Sequence, residues 1–307
     1  MAQFKKTLRA GLMRLVDPVV GAIAAGGLRL LRLFDRRRMS DFCATWARRL
    51  GPYFKEHRIG RENLVAAFPE KSPEEIDKIL LAAWENLGRF VADFAHLDRM
   101  RIRTPGTSEA AEIDYSEDTI ERFFKLRDAN KPILMFSAHL SNWELPALMP
   151  VRFGQPSAVL FRRPNLAGAA EAAIRIRGAT MGELIATGFD APLQITRAMR
   201  DGKWVGMLVD QYVMSGVPVT FFGRPTTANS TAARIARLLG CPIHGTRATR
   251  RADGTYRVDM TEEIPPVLDG EGKVDVQATT QRIIDLIEGW IRDTPEQWLW
   301  QHRRWRG

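Results

Sequence analysis

The stretch ILMFSAHLSNWELPAL, residues 133–148, opens as an apolar run and then changes character within a few positions. Four-residue β-type runs of this kind, bounded by turn-forming residues, read as buried strands. The segment from Pro132 to His139 therefore predicts a strand that ends at an imidazole, with a carboxylate, Glu144, five positions on. On one regular helix, residues five apart point about 140° away from each other. The pair faces one site more easily if His139 stands on the loop at the strand end and Glu144 in the following helical turn. Ser141 or Asn142 would then cap that turn.

Working outward from this strand, apolar runs alternate with helical stretches. SAVLF (157–161), ELIAT (183–187), WVGMLVD (204–210) and CPIHGTRAT (241–249) have strand length. Between them lie helical patterns at 165–182, 191–202 and 229–240, with a last helix over 276–294. Alternation of this kind predicts an α/β fold: a mainly parallel central sheet flanked by helices on both faces. DGTY at 253–256 predicts a late hairpin or antiparallel edge. The segment after WVGMLVD reads as a loop. In such sheets, functional groups gather where the parallel strands end, which is where His139 falls.

The region before the sheet is helical. Ser72, Pro73 and Glu75 form a capping-box signature, and Ile76, Leu80, Ala83, Trp84, Leu87 and Phe94 follow at helical spacing. The grammar changes near residues 101–115. The expected organisation is a basic, apolar membrane-anchoring helix over 1–38 and one larger domain over 39–307, helical to 115 and α/β from 116.

Charge is distributed unevenly. Residues 1–61 carry 14 Lys and Arg against 4 Asp and Glu, a surplus larger than the net +9 of the whole 307-residue chain. Basicity confined to one end argues against a nucleic-acid footprint over the whole domain. Residues 12–34 are apolar but interrupted by Arg14, Asp17, Arg29 and Arg32, so they fall short of the ~20 apolar residues of a clean span. With Lys5, Lys6, Arg9, Arg36, Arg37 and Arg38 as flanks, the segment suits an anionic lipid surface, as an interfacial helix or a poor span. The two cysteines, Cys43 and Cys241, give no disulfide framework, and no metal-ligand spacing is present. No cofactor is expected, and the absence of a Gly-rich phosphate loop predicts no nucleotide.

A histidine steadied by a carboxylate can take a proton from a substrate hydroxyl, which then attacks an acyl carbonyl directly. An H-x-x-x-x-E spacing alone is weak evidence. AHLSNWE nevertheless resembles the HxxxxD/E motif of the lysophospholipid acyltransferase superfamily. ENLVAAFPEKSPEE, LFRRPNLAG, MLVDQYVMSGVPVTFFGRPTT and PEQWLWQHRRWR are similar, in order, to blocks of its lipid A branch, the late (lauroyl/myristoyl) acyltransferases. The resemblance implies an enzyme at the cytoplasmic face of the inner membrane. It would move a fatty acyl chain from acyl carrier protein to a hydroxyl of an anionic glycolipid, a lipid A precursor. His139 would be the general base and Glu144 its orienting partner. Arg163 would bind phosphate or the oxyanion, with Arg162 as its competitor, and Asp210 would line the substrate site. A glycerolipid or phosphatidylinositol-mannoside acceptor, or a non-catalytic basic membrane-binding protein, are the competing readings. The terminal WLWQHRRWR predicts packed tryptophans, with Arg303, Arg304 and Arg306 near solvent or substrate.

Overall fold

The computed structural model describes residues 21–107, 109–163 and 167–306. It begins inside a helix, α1, whose described part covers residues 21–31. Three further helices follow: α2 (Arg36–Leu50), α3 (Lys55–Ala67) and α4 (Pro73–Ala95). The capping box at the start of α4 is closed in both directions: Ser72 Oγ accepts from Glu75 N, and Glu75 Oε2 accepts from Ser72 N at 2.8 Å.

The remaining chain winds a sheet. In order come β1 (Ile113–Tyr115), α5 (Glu117–Asp128), β2 (Leu134–Ser137), α6 (Leu148–Arg152), β3 (Ser157–Phe161) and α7 (Ala167–Gly178). Then follow β4 (Glu183–Ala186), α8 (Ala191–Arg200), β5 (Trp204–Leu208), β6 (Val217–Phe221), β7 (Arg224–Ala228) and α9 (Thr231–Leu239). The last elements are β8 (Ile243–Arg250), β9 (Tyr256–Glu263) and α10 (Val276–Asp293). Seven strands make one sheet in the order β1-β9-β8-β2-β5-β3-β4. β8, β2, β5, β3 and β4 run parallel; β9 turns back antiparallel to β8, and β1 adds parallel to β9.

Strand alternation sorts the core onto two faces. Leu134, Phe136, Val205, Met207 and Ile243 belong to one cluster with side chains of α8, α9 and α10. Ile133, Met135 and Trp204 belong to another with Phe123 of α5 and Leu148 and Met149 of α6. The segment read as a loop after β5 contains a two-stranded hairpin, β6–β7, outside the main sheet. Its strands are short, carry prolines at Pro218 and Pro225, and are not flanked by a clear alternation, which hides them in the sequence.

The basic N-terminal region departs from the sequence reading in one respect. Arg36, expected at a lipid surface, is buried: it donates to Asp93 Oδ1 at 2.6 Å and to Glu112 Oε1 at 3.2 Å. Tyr256 OH donates to the other oxygen of Asp93. Asp93 has no exposure at all, so its charge requires these partners. Arg32 is likewise engaged, by Asp98 and Ala95 O. Arg29, Arg37 and Arg38 are exposed. Among the described residues, no helix is long and apolar enough to cross a membrane; the first 20 residues of the expected anchor lie outside them.

Candidate active site

β2 and β5 are parallel neighbours in register, with Ser137 opposite Leu208. Two residues beyond each of these partners come His139 and Asp210. The sheet thus brings together side chains 71 positions apart in the chain. His139 Nδ1 lies 2.8 Å from Asp210 Oδ1, and the backbone N–H of His139 donates to Asp210 Oδ2 at 2.9 Å. Trp298 Nε1 donates to the same oxygen at 2.8 Å. Asp210 is 1% exposed, so every part of its charge is answered from within the protein.

A carboxylate only accepts, so Nδ1 carries the proton and Nε2 keeps its lone pair. Gln211 Nε2 stands 3.2 Å from that lone pair and donates to it. Burial alone would raise the Asp210 pKa. Electrostatic attraction to the His139 ring, the two hydrogen bonds from His139 and that from Trp298 outweigh burial and hold it down at about 2.

The backbone of the motif loop is pinned by the C-terminal segment. Leu140 pairs with Trp298, Leu299 N donates to His139 O at 3.1 Å, and Ser141 N donates to Gln297 O at 2.7 Å. Ser141 holds a φ of 53°, uncommon for a non-glycine residue, and buried loops keep such conformations only when their surroundings dictate them. As expected, Trp298 and Trp300 are packed inside. Arg304 is a correction: it is 1% exposed, donating to Thr226 Oγ1 and Thr227 O, while Arg303 and Arg306 are exposed. Burial depresses its pKa to about 10, partly opposed by the negative charge of Asp210.

Glu144 does not serve as the partner of His139. Its two oxygens accept from Arg177, from Nε at 2.9 Å and from Nη2 at 2.5 Å. The physical reason is local: Asn142 Oδ1 accepts from Glu144 N, and the chain then enters a short 3-10 turn, Leu145–Ala147, that directs the carboxylate to α7. Asp210 takes the place expected of Glu144. Arg163 is exposed and does not line the cavity described next, whereas Arg162 does.

The cavity has a volume of about 300 Å³ and runs from His139 along the sheet face that also carries Met135 and Trp204. Trp143, Val159, Phe161, Met181, Leu208 and Tyr212 contribute much of its wall, and Glu144 and Arg177 border it together. Arg177 is held between aromatic rings, with its guanidinium carbon 5.6 Å from the Phe94 centroid and 5.9 Å from that of Phe161. Chemically, an imidazole nitrogen that bears a lone pair and is met, among the described residues, only by Gln211 Nε2 faces a chamber with largely apolar walls. A hydroxyl can lose its proton at the mouth while a hydrocarbon chain lies within.

Arg177 is the residue that sequence reading overlooked. It lies within a helical, Ala-rich stretch where RIR reads as solvent-facing charge, and only the carboxylate left over at Glu144 could have pointed to it.

Residues 7–307 match the family model described as bacterial lipid A biosynthesis acyltransferase. The chain is 24% identical over 261 residues to the lipid A biosynthesis palmitoleoyltransferase of Escherichia coli (strain K12), covering 83% of this chain and 80% of that protein. The same identity and coverage relate it to the lipid A biosynthesis acyltransferase of Shigella flexneri. A match across nearly the whole length agrees with the ordered blocks along the sequence, and the chain therefore belongs to the bacterial lipid A biosynthesis acyltransferase family and is an acyltransferase.

Proposed function

We propose that this protein transfers a fatty acyl group from the thioester of acyl carrier protein to a hydroxyl of a lipid A precursor, with His139 as general base and Asp210 as its orienting partner. The observation that carries this reading is the His139–Asp210 pair at the mouth of the apolar cavity. Nε2 accepts the proton of the acceptor hydroxyl as its oxygen bonds to the thioester carbonyl carbon. The imidazolium so formed is stabilised by the Asp210 charge. Collapse of the tetrahedral intermediate breaks the C–S bond, and the proton on Nε2 passes to the departing thiolate. Gln211, which holds Nε2 in the resting site, yields it to the acceptor.

Arg162 at the cavity rim offers an exposed guanidinium to phosphate on either substrate, a role expected of Arg163 by sequence. Arg163 remains available for the same headgroup from outside the cavity. Glu144 neutralises Arg177, so that the charge of Arg177 beside the chamber is paired.

The reading includes attachment at the cytoplasmic face of the inner membrane. Ile23, Leu30, Leu33 and Phe34 are exposed beside the exposed Arg29, Arg37 and Arg38, a combination suited to an anionic bilayer surface. The test is direct. Purified protein is supplied with acyl carrier protein thioester and a lipid A precursor lacking one secondary chain, and the product is weighed by mass spectrometry. Ester formation that falls about 10²- to 10⁴-fold in His139→Ala supports the reading; no transfer by the wild-type protein refutes it.

A further inference from the structure

β5 is an interior strand, hydrogen-bonded to β2 on one side and β3 on the other. At its centre is Gly206, in register with Met135 and Val159. Glycine weakens a strand, since it brings no side chain to pack and loses the most backbone freedom on folding. In a mid-sheet position it usually marks a close approach by something else. At Gly245 on β8 that neighbour is protein: a Cβ there would fall 2.8 Å from Trp290 and 2.9 Å from Phe136. A Cβ at Gly206 would meet nothing within 4 Å. Gly206 faces the cavity, and the missing side chain is part of the cavity's space.

The register also fixes the depth. Met135, level with Gly206, is four residues down β2 from His139, about 13 Å at the rise of a strand. Two residues further down the same face of β5 is Trp204, fully buried, its Nε1 donating to Lys131 O and its ring 5.1 Å from that of Phe123. Trp204 is in register with Ser157, the residue at which the β3 lining of the cavity begins. Met135 lines the cavity at the level of Gly206 and Ser157 lines it two residues deeper, with Pro150 and Met181 also in the wall.

We infer that Gly206 sets the length of acyl chain this enzyme accepts: the glycine leaves passage beyond the Met135–Val159 level, toward the part of the chamber lined by Ser157. The inference rests on the reading above that the donor's chain enters this cavity. Because the space at Gly206 is open and β-branched residues favour strands, Gly206→Val should fold and melt no lower than the wild type. Its side chain would shut the passage at the level of Met135.

The test uses full-length wild-type protein, Gly206→Val and the milder Gly206→Ala with octanoyl, lauroyl and palmitoyl acyl carrier protein. Binding of free octanoate, laurate and palmitate is followed in parallel. The expected result is a loss of about ten-fold or more in Gly206→Val on donors that reach past the glycine, with less than about two-fold change on the shortest donor. Gly206→Ala should fall between. Free fatty acids should show the same length cut-off in binding. An unchanged length profile, or an equal loss on all three donors in a variant that melts like the wild type, overturns the inference. A cut-off in fatty-acid binding without transfer in any protein would uphold the role of Gly206 and refute the proposed reaction instead.

Discussion

The indole of Trp298 donates to Asp210 Oδ2 at 2.8 Å, so a residue nine positions before Gly307 completes the environment of the carboxylate hydrogen-bonded to His139. The backbone of His139 donates to the same oxygen. Trp298→Phe keeps the ring and removes the donor, leaving that oxygen with one partner in place of two. A lost hydrogen bond to a buried charge costs about 1–3 kcal/mol. Urea denaturation should show a loss of that size, and kcat should fall with little change in KM, since no substrate contact is removed.

Asp210 and Glu144 should separate cleanly in kinetics. Asp210→Asn can present an N–H to Nδ1 and so favour the tautomer whose Nε2 bears the proton, which cannot act as base. A fall of about 10²- to 10⁴-fold in kcat is expected. Glu144→Gln instead leaves Arg177 without its counter-charge at a largely buried position. Removing one partner of such a pair typically costs about 3–5 kcal/mol of stability. Its signature is therefore a lowered urea midpoint, with any protein still folded retaining the pH–rate profile of the wild type. A collapse of the pH profile in Glu144→Gln, with Asp210→Asn near normal, would reverse the assignment.

Much of this was legible in the sequence, and the exceptions have a common cause. The strand leading to His139, the α/β alternation and the late hairpin each follow from local pattern, and each is present, the strand ending two residues before the imidazole. The partner of His139 is different in kind. Glu144 is near in sequence, but Asp210 is near in space because β5 inserts between β2 and β3 and ends level with β2. Nothing in the spacing of 71 residues encodes that insertion. Arg36 and Arg304 were misread for the same reason: charge runs are usually solvated, and their partners, Asp93 and Thr226–Thr227, lie 57 or more positions away.

The depressed pKa of Asp210 gives a pH dependence with a definite sign. Its ordinary value is 3.8 and its folded value about 2. The folded state therefore favours the ionised form. This stabilisation is complete above the unfolded value and is lost as pH falls from about 4 through about 2, amounting to roughly 2 kcal/mol. The difference in unfolding free energy between wild type and Asp210→Asn should shrink over that window. A gap that stays constant down to pH ~2 would contradict the ionic role of the carboxylate.

Arg36 ties the start of α2 to the body of the protein through Asp93 and Glu112. Arg36→Ala would leave Asp93, which has no exposure, with the Tyr256 hydroxyl but no cation. The expected loss is about 3–5 kcal/mol, measured as a lowered denaturation midpoint. Arg37→Ala and Arg38→Ala, both at exposed positions, should change stability by less than about 0.5 kcal/mol.

Those exposed arginines should matter elsewhere. Arg29, Arg37 and Arg38 lie near the exposed Ile23, Leu30, Leu33 and Phe34, so apolar insertion and headgroup attraction can act together. Each basic residue near an anionic surface contributes about 1 kcal/mol, and this attraction is screened over ~10 Å at 0.1 M salt. Sedimentation with vesicles of phosphatidylethanolamine and phosphatidylglycerol should show binding that weakens as salt rises. Replacing Arg37 and Arg38 together by Ala should reduce the salt dependence as well as the affinity, by about 2 kcal/mol at low salt. Leu30→Glu should weaken binding at every salt concentration, because it removes apolar contact and adds like charge to that of the lipid. Binding that ignores both changes would place membrane attachment on another surface of the molecule.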